Sequence, residues 1–207
     1  SKPYEYKEFK PETCKSFEVG YKGLIQDKLL IDVYGYFSRY QDFLGRIAVV
    51  EASTKNIYSI VTNSDTKVKT HGFGIGLDYL ISNAFTASVN FYSDKITDVP
   101  TSFIANYNTP PHRFNIGLSN AGFGKNKKMG FALQYKWQDK FMFENDFANG
   151  NIDAFSTLDA QVSYKILKNK AQLRIGGTNI LNHYYKNAYG NPEVGGLYYA
   201  SVRVDIL

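Results

Sequence analysis

Apolar and polar side chains alternate along this chain with a period of two, and they do so in nine separate segments. In the closing one, Tyr198, Ala200, Val202, Val204 and Ile206 share one face while Tyr199, Ser201, Arg203 and Asp205 share the other. Residues 158–166, 171–176, 128–137, 113–118, 85–92, 73–79 and 17–22 repeat the pattern. Residues 28–40 carry it less cleanly, because Leu29, Ile31 and Val33 alternate with Leu30, Asp32 and Tyr34 before an aromatic-rich end. Successive side chains of a strand point to opposite faces, so this periodicity predicts nine amphipathic strands.

The aromatic content agrees. Seventeen Tyr and fifteen Phe stand against one Trp, two Met and one Cys, a weighting that suits a pleated surface better than a helix. Cys14 is alone, which excludes an internal disulfide. The net charge of +5 arises from 24 basic and 19 acidic residues spread along the chain. With no clustered basic stripe it describes a solvated surface, and no nucleic-acid partner is expected. No window approaches the roughly 18 apolar residues of a membrane helix, so any crossing of a bilayer has to use strands.

Connections between the predicted strands alternate in size. Short turns fall near residues 24–28, 80–84, 120–127 and 166–170, and longer loops near 41–69, 95–110, 139–154 and 179–196. Short turns on one rim and long loops on the other are the habit of an outer-membrane barrel. A soluble antiparallel sandwich also alternates, and periodicity alone leaves both open. Length decides: the fullest segments, 128–137, 158–166 and 198–206, carry about nine to eleven alternating residues, the number needed to cross the bilayer core at a tilt. Aromatics on the apolar face, such as Tyr79, Phe85, Tyr135, Trp137 and Tyr164, fall near strand ends, as girdles at two membrane interfaces would.

Four segments resemble those of TonB-dependent outer-membrane receptors, in that family's order. Lys10-Pro11-Glu12 followed by Ser16-Phe17-Glu18-Val19-Gly20-Tyr21-Lys22 is similar to its KPE-containing strand, and Pro110-Pro111-His112 to the start of a later one. Leu158-Asp159-Ala160-Gln161-Val162-Ser163-Tyr164 resembles a strand ending in tyrosine, and Asn179-Ile180-Leu181-Asn182-His183-Tyr184-Tyr185 the segment before the final strand. Two departures are visible: the chain ends Asp205-Ile206-Leu207 where the family ends in Phe or Trp, and Gly74 stands where it often has Glu.

The resemblance implies an all-β, antiparallel transmembrane barrel of 22 strands, of which residues 1–207 would be the last nine. It also implies a plug folded inside the barrel, import driven by the TonB complex acting through that plug, and residence in the outer membrane of a Gram-negative bacterium. Nine strands cannot close antiparallel, so the earlier strands and plug are expected from the same polypeptide or from a second chain. The expected function is uptake of a bulky ligand, such as an iron–siderophore or a glycan, by binding and gated passage. A passive porin and a scaffold within a larger outer-membrane complex are the alternatives. A surface lipoprotein stays open as a partner, beside membrane lipid.

No chemistry of bond making is expected. His71, His112 and His183 lie far apart without metal-ligand spacing, and no serine–histidine–acid motif announces a nucleophile. Catalytic residues, metal ligands and a cofactor are therefore all expected to be absent. Two groups of residues remain as candidates. The aromatics Tyr58, Phe103, Tyr107, Phe143, Tyr184 and Tyr189 fall in the long loops, where they would either grip a ligand or partner or pin loops to each other. Gly20, Gly74, Gly76, Gly117, Gly130 and Gly176 fall on the polar face, where they would either let the plug approach closely or relieve crowding as the barrel curves.

Overall fold

A computed structural model describes residues 7–82, 84–146, 148–166 and 170–204. Nine long strands form one antiparallel sheet, numbered here in chain order: β1 (Thr13–Ile25), β2 (Leu29–Gln41), β5 (Lys69–Ser82), β6 (Phe85–Thr97), β8 (His112–Phe123), β9 (Met129–Gln138), β12 (Phe155–Ile166), β13 (Ala171–Thr178) and β14 (Leu197–Val204). Each pairs with its successor, as a chain that turns back on itself at every rim must. These are the nine segments expected from the alternation. The closing residues Asp205, Ile206 and Leu207 lie outside the described residues.

Register carries the apolar face unbroken across the sheet. Phe17 pairs with Phe37, Val33 with Ile75, Val89 with Ile116, Leu118 with Leu133, Val162 with Ile175 and Ile175 with Ala200. Side chains on this face stay exposed; Phe17 is 70% exposed and Ile175 63%. Such a surface, far larger than a soluble monomer tolerates, needs an apolar solvent. Two bands of rings border it. Phe114 stacks on Trp137 near the long-loop rim, while Phe131 packs edge-on against Phe85 and Phe123 near the other. Phe114 and Asn120, the partner of Phe131, are six residues apart on β8, about 20 Å at strand rise. That spacing is close to the height of a lipid-facing band.

Short turns close one rim. At Ile25–Lys28 the Lys28 N–H donates to the Ile25 carbonyl at 3.0 Å, and both central residues, Gln26 and Asp27, have positive φ of 49° and 53°. Those angles define a type I′ turn, whose twist matches the strands it joins.

The other rim differs from expectation. Its connections contain strands of their own: β3 (Leu44–Val50), β4 (Ile57–Asn63) and β7 (Phe103–Ile104) form a three-stranded sheet, and β10 (Phe141–Phe143) pairs with β11 (Gly150–Ile152). The runs Leu-Gly-Arg-Ile-Ala-Val-Val and Ile-Tyr-Ser-Ile-Val-Thr-Asn are rich in β-branched residues but lack long strict alternation, so the period-two signal passes over them. Among the described residues this rim also holds most of the buried apolar side chains: Val68, Phe103 and Ile152 lie here, and Ala171 sits at the opposite rim. The wall has no core of its own; the small core lies under the loops.

Candidate ligand-binding lumen

The inner face of the wall is polar, and its glycines explain how. Tyr36, Gly72 and Asp94 are consecutive partners across β2, β5 and β6. Because Gly72 has no side chain, the Tyr36 ring crosses β5 and its hydroxyl donates to Asp94 Oδ1 at 2.6 Å. A Cβ at Gly72 would lie 2.8 Å from both Tyr36 and Asp94. The device recurs at the far side of the sheet, where Tyr199, Gly176 and Gln161 are partners and the Tyr199 hydroxyl donates to Gln161 Oε1 at 2.9 Å. Two residues along the same pair of strands as Tyr36, Tyr34 lies over its partner Gly74.

The other glycines predicted on this face are also covered by neighbours. Gly20 faces Tyr34, Gly76 faces Asn90, Gly117 faces Ser88 and Gly130 faces Ser163. All six expected positions do lie on the polar face, and each faces a side chain of an adjacent strand. Glycine opposite an aromatic lets a curved sheet fill its own surface.

Two charge clusters stand above this layer. Arg113 donates through Nη2 to Asp94 Oδ2 at 2.5 Å and lies over the Tyr92 ring, 5.6 Å from its centre. Its Nε is buried and has no hydrogen-bond partner among the described residues. Lys136 Nζ donates to Asp159 Oδ2 at 2.6 Å, and the other Asp159 oxygen accepts the Asn179 N–H at 2.8 Å. The last contact joins two motifs 20 residues apart in sequence. Asn179 has φ of +50°, donates its side-chain N–H to the His183 carbonyl at 2.7 Å and accepts the His183 N–H at 3.1 Å. Asn182, also at φ +50°, accepts the Gly196 N–H at 2.8 Å. Asparagine tolerates this left-handed backbone and caps it with its own amide, so the motif is a turn-forming device at the root of the last loop.

Between these clusters opens a cleft of about 830 Å³ lined by Tyr34, Tyr92, Arg113, Lys136, Asp159 and Asn179 among others. Each cation has its carboxylate, so the surface offers hydrogen bonds and ring faces with little net charge. That suits recognition of a large polar ligand by many modest contacts. Among the described residues no three His, Cys, Asp or Glu converge as a metal site would require.

The loop aromatics divide. Phe103 is buried, packing on Phe43 at 6.3 Å and against Gly45. Tyr107 turns inward and shares a hydrogen bond with Tyr36; burial raises its hydroxyl pKa above the ordinary tyrosine value. Phe143 packs edge-on to Phe141 at 6.5 Å within the β10–β11 hairpin. Tyr189 lies on Gly150 of β11, although 42% of its surface stays exposed. Tyr58 and Tyr184 are exposed, Tyr58 donating to Glu51 at 3.3 Å.

Polar contacts bind these loops together. Arg46 of β3 pairs with Asp146, and the Asn106 N–H donates to Glu144 at 2.9 Å. Asn108 and Glu144 exchange two bonds of 2.8 Å. Periodicity places Tyr34, Arg113 and Lys136 on the polar face but does not single them, Tyr36 or Asp94 out as site residues; for Tyr34 and Tyr36 the available signal is a tyrosine placed to pair with a glycine on that face.

The family profile described as "TonB dependent receptor-like, beta-barrel" matches residues 2–180. Among solved structures, the copper transporter OprC shares 16% identity at a TM-score of 0.71, over 94% of this chain and 31% of its own. The pyoverdine outer-membrane receptor FpvA from Pseudomonas aeruginosa PAO1 shares 17% at 0.71, over 96% and 30%. The FrpB iron transporter from Neisseria meningitidis shares 14% at 0.67, over 93% and 32%. No curated protein matches. The chain thus spans about a third of the length of these solved relatives. Matched over most of its length and built as a lipid-facing antiparallel wall, it belongs to the TonB-dependent receptor β-barrel family.

Proposed function

We propose that this chain is the carboxy-terminal, nine-stranded part of the barrel of an outer-membrane active importer. The complete protein takes up a bulky polar ligand such as an iron–siderophore or a glycan, by binding and gated passage with no bond made or broken. The observation that carries this reading is the inner cleft, on whose lining Arg113 keeps one buried N–H without a hydrogen-bond partner among the described residues. A lumen built only to pass small solutes has no use for a wall so rich in paired polar groups and tyrosine rings.

The remaining strands and a plug complete the barrel, from the same polypeptide or a second chain, and the TonB complex acts through the plug. On the inner face the plug meets the tyrosine rings that cover Gly74 and Gly176 rather than the glycines themselves. Tyr58, Tyr184 and Tyr189, exposed on the outer rim, are the loop aromatics placed for ligand or partner contact.

Ligand uptake by cells carrying the full-length protein tests the reading. It should stop when the inner-membrane proton gradient is collapsed, and fall at least tenfold on Arg113→Ala with the barrel still assembled. Steady conductance of the purified protein in a planar bilayer would establish a porin instead. Fixed copurifying partners without any uptake would establish a scaffold.

A further inference from the structure

The β3–β4 hairpin ends in an open strand edge. The Glu51 N–H donates to the Asn56 carbonyl at 2.9 Å and the Ser64 N–H to the Phe43 carbonyl at 2.7 Å, with one unbroken register between them. Hydrogen-bonded pairs alternate along an antiparallel ladder. Tyr58, Ile60 and Thr62 therefore bond β3, while Ile57, Ser59 and Val61 turn their N–H and C=O groups away from it. The opposite edge of the small sheet is held by β7; among the described residues nothing pairs with β4 on its outer side.

Edge strands of natural proteins are normally blunted by charge, proline, a bulge or a cover. β4 reads Ile-Tyr-Ser-Ile-Val-Thr-Asn and has neither charge nor proline. Its Ile57 is 72% exposed, and Val61 and the adjacent Val50 are exposed beside it. An uncharged, β-branched edge of seven residues is a template for another strand.

We propose that β4 is a docking site for strand addition, occupied by an extended segment of an external loop from the barrel wall that lies beyond β1 in the complete protein. Position selects this occupant. Lys10 and Asn63 exchange two hydrogen bonds of 2.8 and 2.9 Å, and Glu12 accepts the Leu44 N–H at 2.9 Å. The hairpin is thereby tied to the segment leading into β1, and β1 is one open edge of the large sheet. A barrel edge cannot stay open in lipid, where no water satisfies its backbone. The solved relatives carry about three times as much chain. β7, on the far edge of the small sheet, comes from the connection after β6, whereas the end of β4 is tied through Asn63 to the segment entering β1, which sets β4 toward the next loop beyond β1.

The test uses the full-length protein purified from outer membranes. Hydrogen–deuterium exchange resolved to single amides should show Ile57, Ser59 and Val61 protected within about tenfold of Ile60. Fast exchange at those three, with Ile60 protected, overturns the proposal. Ser59→Pro removes one outward N–H while sparing the β3 ladder, and should speed exchange at Ile57 and Val61 at least tenfold with Ile60 unchanged. A photo-crosslinking residue at Val61 identifies the occupant. Capture of an earlier loop of the same polypeptide supports the proposal; capture of a second copy or a separate protein, or no capture, overturns it.

Discussion

The wall and the outer rim of this molecule are held together by different physics. In the wall, one rule repeated nine times aligns an apolar face, and almost no individual side chain is buried. At the outer rim the rule lapses, and particular contacts take over: Phe103 under Gly45, Arg46 on Asp146, Asn108 with Glu144, Asn179 with His183. A continuous hydrogen-bonded sheet stands or falls as one unit, whereas a set of specific contacts fails one contact at a time. The comparison teaches that one repeated local rule suffices to build the wall, while the loops above it need individually matched partners.

The strongest way to break this contrast is to add volume to one glycine in each region. At Gly72 a new Cβ would collide with the Ser93 carbonyl as well as with Tyr36 and Asp94. Gly72→Val should therefore cost at least about 3 kcal/mol and force β5 from β6. The expected result is loss of the heat-modifiable folded band on a gel. Gly45→Val collides with Phe103 and the Ile104 carbonyl. It should part β7 from β3, leaving the folded band intact while the outer loops become protease-sensitive. Equal loss of the folded band in both variants would erase the distinction between wall and rim.

Asp159 sits where the two regions meet, and its removal should be next in size. Asp159→Ala leaves Lys136 and the Asn179 N–H without their acceptor, a loss of about 2–3 kcal/mol for bonds to a charged group. Thermal unfolding should show it, with cleavage by protease appearing first in residues 180–196. Asn179 separates conformation from bonding. Asn179→Gly keeps the left-handed backbone and should cost about 1–2 kcal/mol through its lost bonds. Asn179→Ala should cost roughly a further 1 kcal/mol from backbone strain. Identical melting temperatures would show that the turn angle is unimportant.

Smaller effects belong to the exposed rim. Arg46→Ala removes a partly exposed ion pair and should cost about 0.5–1 kcal/mol. Protease accessibility of residues 140–150 should rise, by an amount that shrinks at 1 M salt. Smallest is the hairpin tip, where the Thr54 hydroxyl, followed by that of Tyr58, holds the Glu51 carboxyl below its ordinary pKa. A depressed folded pKa gives order that is present above the unfolded value and lost as pH falls through the folded one. Amide exchange at Lys55 should therefore quicken only on acidification below the ordinary glutamate range, and Glu51→Gln should flatten that dependence.

Several of these positions were legible in advance and others were not. The type I′ turn at Gln26-Asp27 falls at an expected short connection, although neither residue is the glycine such turns favour. Alternation assigns the six glycines to the polar face, yet what fills the space above them is not legible in it, because cross-strand register decides that Tyr34 meets Gly74 and Tyr199 meets Gly176. The loop aromatics were visible as a class. Only packing separated Phe103, sealed under β3, from Tyr58, exposed one strand away.

By itself the sequence determined the nine wall strands, the lipid-facing surface, the alternation of short turns with long loops and the resemblance to TonB-dependent receptors. All of these follow from a local period of two and from residues close along the chain. The tertiary structure alone decided that the loops contain a second sheet, that Asp94 gathers Tyr36 and Arg113, and that Asp159 roots the last loop at Asn179. Those contacts join residues 19 to 58 positions apart, and only the strand register brings them within hydrogen-bond reach.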